Sequence, residues 1–179
     1  MKTVNVIWLM VMACVLNIMP AFGQSESKNN KIIADSKTAK AEFLAADALM
    51  KGIFDSAYGY VIFPNVGKGG IGVGGAAGNG VVYEQNTIVG MAKLSQVSIG
   101  FQAGGQAYRE IIFFESKNEL ERFKKSQLEF SAEVSAVAVT SGASAKAKYT
   151  KGVMVFTMQK GGLMYEASVG GQQFKFKKM

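Results

Sequence analysis

The sequence predicts an α+β domain: a curved, twisted antiparallel sheet, barrel- or sandwich-like, with an amphipathic N-terminal helix and one mid-chain helix. Three observations lead there. Apolar residues recur at helical spacing from Lys31 to Phe54 and again after Ser116. Elsewhere, short apolar runs are separated by Gly, Asn and Lys-Gly-Gly turn signals, as in strands joined by hairpins. Glycine also alternates with other residues from Phe63 to Gly80 and from Ser98 to Gln106. Side chains alternate with period two in a strand, so Gly70, Gly72, Gly74, Ala76, Gly78 and Gly80 would leave one face of an extended chain nearly bare. Such a face invites close approach by a helix, a strand or a ligand.

The elements follow in chain order. Lys2, the apolar run Val6–Met19 and the small-x-small Ala21-Phe22-Gly23 read as a secretory signal over residues 1–23. Two other readings stand beside it. One is a retained transmembrane anchor, although the run is near the lower limit for a span. The other is a lipoprotein box at Val11-Met12-Ala13-Cys14 with Cys14 lipidated, against which Met12 and the apolar run continuing to Met19 both speak. Residues 24–30 are polar and read as a flexible segment.

From Lys31 to Phe54, at about 100° per residue, Ile32, Ala39, Phe43, Met50 and Phe54 form an apolar stripe with Ser36 and Ala46 inside it. One flank carries Lys37, Lys40 and Lys51 with Ile33 and Leu44. Large apolar side chains set among lysines outside the main stripe suit a helix lying on a membrane surface, although Ile33 and Leu44 could equally widen the core stripe. Tyr58–Phe63 then reads as a strand ended by Pro64-Asn65. Further strands are expected near Gly69–Gly75, Val81–Glu84, Ile88–Leu94, Val97–Gly104 and Tyr108–Phe114, with a hairpin turn at Gln85-Asn86. Ser116-Lys117-Asn118-Glu119 is a capping box opening a helix to about Gln127 that buries Leu120 and Phe123. The small residues of Ser131–Ala147 turn near Ser141-Gly142. Val153–Met158, Leu163–Val169 and Gln173–Lys177 read as antiparallel strands.

Composition excludes several chemistries. The chain has no histidine, and its single cysteine, Cys14, lies in the leader. The domain therefore lacks His-based triads, thiolate nucleophiles and the usual zinc ligands. No metal or cofactor is expected. Gly67-Lys68-Gly69-Gly70-Ile71-Gly72 matches a G-x-G-x-x-G pattern literally, but no helix start follows it to meet a pyrophosphate. The carboxylates form no pair placed across a scissile bond, so the reading is non-enzymatic. The net charge of +7 falls to +6 without Lys2, a balance that favours anionic partners. Only Arg109 and Arg122 are arginines, which disfavours bidentate base readout, and no nucleic-acid partner is expected. Lys146, Lys148 and Lys151 form one basic cluster, and Lys175, Lys177 and Lys178 another.

Several motifs in order resemble the SYLF domain family: Gly59-Tyr60-Val61-Ile62-Phe63-Pro64, Gly67-Lys68-Gly69-Gly70, Gly72-Val73-Gly74-Gly75, Ser98-Ile99-Gly100-Phe101-Gln102, Phe123, and Val155-Phe156 with Lys160-Gly161-Gly162-Leu163-Met164. The resemblance covers about residues 40–179 and is taken to define one SYLF-like domain over 31–179. It implies a lipid-binding module in which an N-terminal amphipathic helix takes part, with bacterial members exported and standing alone. The chain has no SH3 or FYVE companion of the kind eukaryotic members carry. The expected function is peripheral binding to anionic phospholipid or a membrane surface by an exported periplasmic or extracellular protein, with Ile33, Lys37, Lys40, Phe43, Leu44, Lys51 and Lys68 as contact residues. The alternatives are a structural or protein-interaction module of the cell envelope, or a small apolar ligand held over the glycine-lined face.

Overall fold

The computed structural model describes residues 21–71, 73–99, 105–128, 135–160 and 169–179. Two compact units divide the chain at Lys31/Ile32. In the first, the described part is the polar opening of helix α1 (Ala21–Ala46), which begins at the end of the segment read as a signal and runs through residues 24–30, so that the latter are helical where a flexible segment was expected. The signal-peptide reading, including Cys14, falls outside the described residues except for 21–23. No helix among the described residues is long and apolar enough to cross a membrane.

The second unit continues α1 and adds a short helix α2 (Met50–Ser56), four long strands β1 (Gly59–Ile71), β2 (Val73–Glu84), β3 (Thr87–Ile99) and β4 (Gly105–Phe114), helix α3 (Lys117–Lys124), and strands β5 (Ala136–Ala138), β6 (Val153–Gln159) and β7 (Gln172–Lys178). All seven strands lie in one sheet, in the order β5-β6-β4-β1-β2-β3-β7. The α+β class holds, with two corrections. The sheet is mixed, because β5 runs parallel to β6 with Ala136 opposite Val155. Among the described residues it is also open, a single sheet rather than a closed barrel or two-sheet sandwich.

The sheet is strongly curled. Neighbouring strands stand about 4.8 Å apart, so β4 and β7, four steps apart in the order, would be nearly 20 Å apart if the sheet were flat. Yet Gln172 of β7 hydrogen-bonds Glu110 of β4 at 2.9 Å, and the rings of Phe63 on β1 and Phe174 on β7 lie 6.0 Å apart. The concave face encloses one core, in which Val61, Phe63, Val66, Leu94, Ile112, Phe114 and Phe174 meet Leu120 and Phe123 of α3. The opposite face carries the second core, where Phe43, Met50 and Phe54 of α1 and α2 pack on Tyr60, Ile62, Tyr83, Ile111, Phe113 and Phe156.

Local chemistry explains the departures from the expected elements. Pro64 does not end a strand. β1 runs through it, and the register slips between Ile62 and Asn65 against β2 and between Phe63 and Val66 against β4. A bulge absorbs the missing N–H donor in a central strand. The glycine-rich stretch is not one strand but the tip of the β1–β2 hairpin, with Ile71 opposite Val73 and Gly70 opposite Gly74. Of the expected strand Val97–Gly104, Val97–Ile99 is the end of β3, and the rest lies outside the described residues. The single helix Lys31–Phe54 is two, broken at 47–49. Asp47 causes the break. Its carboxylate accepts from the Leu49 N–H at 3.1 Å and from the Ser144 N–H and Oγ at 2.9 and 2.6 Å, which holds the chain out of helix. Those bonds keep the Asp47 carboxyl below its ordinary pKa, the Ser144 side chain contributing most.

Other expectations hold. Gln85 and Asn86 take φ of 47° and 64°, the left-handed pair of a tight hairpin turn. The Ser116 hydroxyl accepts from the Asn118 N–H at 3.2 Å and donates to the Glu119 carboxylate, and α3 buries Leu120 and Phe123. The reading of Leu163–Val169 as a strand lies almost wholly outside the described residues.

Candidate functional site

Helix α1 turns one stripe inward: Ser36, Ala39 and Phe43 are fully buried, and the Ser36 Oγ lies 3.0 Å from the Tyr83 hydroxyl. Ile33, Lys37, Lys40 and Leu44 occupy the next stripe round, at steps of four, three and four residues, which a period of 3.6 places on one flank. Ile33 and Leu44 are half-buried against the α1–α2 core, and Lys37 is exposed. Four of the seven expected contact residues therefore share a surface strip.

Lys40 has a structural role within that strip. Its ammonium donates to the Tyr60 hydroxyl at 2.8 Å and to Asn86 Oδ1 at 3.3 Å, and lies 4.4 and 4.9 Å from the ring centres of Phe54 and Tyr60. Partial burial lowers its pKa, opposed by the charge of Asp55. It is thus held down over aromatic faces, where cation–π attraction partly replaces water. Phe43 is fully buried and in this conformation cannot enter a bilayer, because its ring is part of the core. Lys51 is exposed on α2 and pairs with Asp55 one turn on. A surface pair of this kind is worth little, so a headgroup can compete for Lys51. Lys68 does not join the strip. It stands opposite Ala76 and Gln106, on the concave face, with the sheet between it and α1.

Sequence reasoning missed Leu49. The break between α1 and α2 leaves this side chain 54% exposed, two residues from Lys51. Its only signal was a leucine two residues after an aspartate, off the main stripe. Val97, 76% exposed, was missed as well. It sits on the outer sheet face among Gly69, Gly75 and Gly105, beyond the Lys93–Lys175 cross-strand pair. The bare face foreseen from glycine alternation therefore exists, but in a different set of glycines. Ala76, Gly78 and Gly80 turn into the concave core instead.

Residues 95–178 match the family model Ysc84, described as a Las17-binding protein actin regulator. A curated relative, Beta cell expansion factor A of Aeromonas veronii, is 29% identical over 123 residues, which cover 68% of this chain and 47% of the relative. The chain spans about half the length of that relative. Neither name is that of an enzyme. Together they bear out the SYLF resemblance.

Proposed function

We propose that this SYLF-family chain is a non-catalytic, exported protein that binds anionic phospholipid at a membrane surface through the outward flank of α1 and the α1–α2 break. The observation that carries this reading is the strip itself. Exposed Lys37 lies between the half-buried Ile33 and Leu44 along the strip, and exposed Lys51 lies two residues beyond the exposed Leu49. The lysines draw the strip to negative headgroups, each contributing on the order of 1 kcal/mol near a charged surface. Leu49 and the outer edges of Ile33 and Leu44 then enter the acyl boundary. Attraction of this kind weakens as salt is raised.

Sedimentation with vesicles of zwitterionic lipid, with and without an anionic component, tests the reading. Pelleting is expected only with the anionic lipid, and Lys37→Gln and Lys51→Gln should each weaken it about fivefold. Equal and negligible pelleting with both vesicle types would refute it. A second reading, a protein-interaction module of the envelope, is favoured by the bare sheet face around Val97. It predicts that charge removal at Lys37 and Lys51 changes nothing.

A further inference from the structure

The concave face contains a carboxyl group for which lipid binding has no use. Glu110 lies on β4 between Tyr108 and Ile112, both of which face the inner core, and it is completely buried. Across the curl, the equally buried Gln172 of β7 donates its Nε2–H to Glu110 Oε2 at 2.9 Å and also hydrogen-bonds Tyr108. The second oxygen of each partner, Glu110 Oε1 and Gln172 Oε1, is buried and meets no hydrogen-bond partner among the described residues. Two adjacent groups thus each carry a buried acceptor without a donor, an arrangement native interiors avoid. A single proton resolves both. Placed on Glu110 Oε1, it makes that oxygen a donor toward the Gln172 carbonyl oxygen, and acid and amide close a cyclic pair through two parallel bonds.

We propose that Glu110 is carried as the neutral acid and that its proton, shared with the Gln172 carboxamide, is a latch holding edge strand β7 across the concave face. The surroundings agree. The opposite positions on the flanking strands are Phe63 on β1 and Thr157 on β6. On the face of the sheet that Glu110 shares, the charged groups of the neighbouring elements include Lys68 on β1, Lys178 at the end of β7, and Lys124 of α3, which is bonded to Glu84 and Glu121, whereas Arg109 of β4 and Lys175 and Lys177 of β7 alternate to the other face. Among the described residues none of these is hydrogen-bonded or ion-paired to Glu110, and Tyr108 is its titratable neighbour. Burial pushes the Glu110 carboxyl up to about 8, opposed only by the Gln172 bond. Among the described residues β7 is an edge strand, paired with β3 alone. Gln96 of β3 ties down its entry by donating to the Gly170 carbonyl at 2.7 Å. Among the described residues Gln172, through Glu110 and Tyr108, is a polar tie from β7 to the far side of the curl.

The sign follows from linkage. The folded protein holds this proton more tightly than the unfolded chain, so the stability it contributes is fully present below the unfolded carboxyl pKa and is lost as pH rises through about 8. Wild-type protein should therefore show an unfolding constant rising about tenfold per pH unit between roughly pH 5 and pH 8. Glu110→Gln, which preserves the cyclic pair without an ionisable group, should lack that component. Infrared spectroscopy of the wild type should show a protonated-carboxyl stretch that persists at about pH 6, where ordinary carboxyls are ionised, and disappears by about pH 9. Over the same interval the β7 amides should lose hydrogen-exchange protection relative to β1 and β2. Absence of the stretch at about pH 6, identical slopes in wild type and Glu110→Gln, or unchanged β7 protection at about pH 9 would each overturn the latch. The infrared and exchange measurements need only the wild type. The inference does not depend on lipid binding, since every readout is made without lipid.

Discussion

Gly80 and Gly67 show how one residue type serves two opposite purposes on the two faces of this sheet. A Cβ on Gly80 would come within 2.6 Å of the Ile62 carbonyl oxygen and 2.7 Å of the Phe63 ring, so the bulge before Pro64 can close over β2 only if that position is bare. A Cβ on Gly67 would meet nothing within 4 Å. Gly80→Ala should therefore cost about 1–3 kcal/mol, as overpacking typically does, whereas Gly67→Ala should leave the urea midpoint essentially unchanged. Equal effects of the two would contradict the close approach. Gly90 resembles Gly80, since the ring of Phe176 lies directly where its Cβ would be. Glu110 makes a related point about side chains. Neither its burial nor its partner was read from the sequence, because apolar residues occupy both faces of Tyr108–Phe114 and Gln172 lies 62 residues away, meeting it only through the curl.

Among the elements, those governed by local chemistry were the legible ones. The Ser116 box, the Gln85-Asn86 turn and the inward stripe Ser36, Ala39, Phe43 each depend on residues within two helical turns of one another. The cap also yields a prediction: Ser116→Ala removes the acceptor for the Asn118 N–H and the partner of Glu119. The loss should be about 1 kcal/mol of stability, read as a lower denaturation midpoint with an unchanged slope. A midpoint equal to wild type would mean that water replaces the cap without loss. Where elements were misread, the deciding contact was distant or the residue had no side chain to mark it. The α1–α2 break is imposed by Asp47 reaching Ser144, 97 residues on. The hairpin tip was hidden because consecutive glycines carry no pattern by which a turn differs from a strand. β5, three residues long, is too short to show any period. The same break in α1 that escaped sequence reasoning exposes Leu49, so the missed boundary and the missed surface residue have one cause.

For the second unit, two cores on opposite faces of one curled sheet divide the labour. The concave core, closed by α3 and β7, contains the Glu110–Gln172 pair and is removed from the α1 surface. The outer core anchors α1 through Phe43 and α2 through Phe54, and fixes Lys40 over the Phe54 and Tyr60 rings. The anchoring leaves only the flank of α1 and the Leu49 corner facing outward. On this account α1 stays docked while its flank meets the bilayer, because the buried stripe and the exposed strip are different residues of one helix. Lys68, on the other side of the sheet, should then be dispensable for lipid contact. The measurement that tests this most directly is a nitroxide at Leu49→Cys, in protein freed of Cys14, with its collision rates toward oxygen and a water-soluble paramagnet recorded on vesicles. The account predicts that anionic vesicles shield the label from the aqueous probe and raise its encounter with oxygen, while zwitterionic vesicles do neither. Identical accessibilities with both vesicle types and in free solution would contradict it.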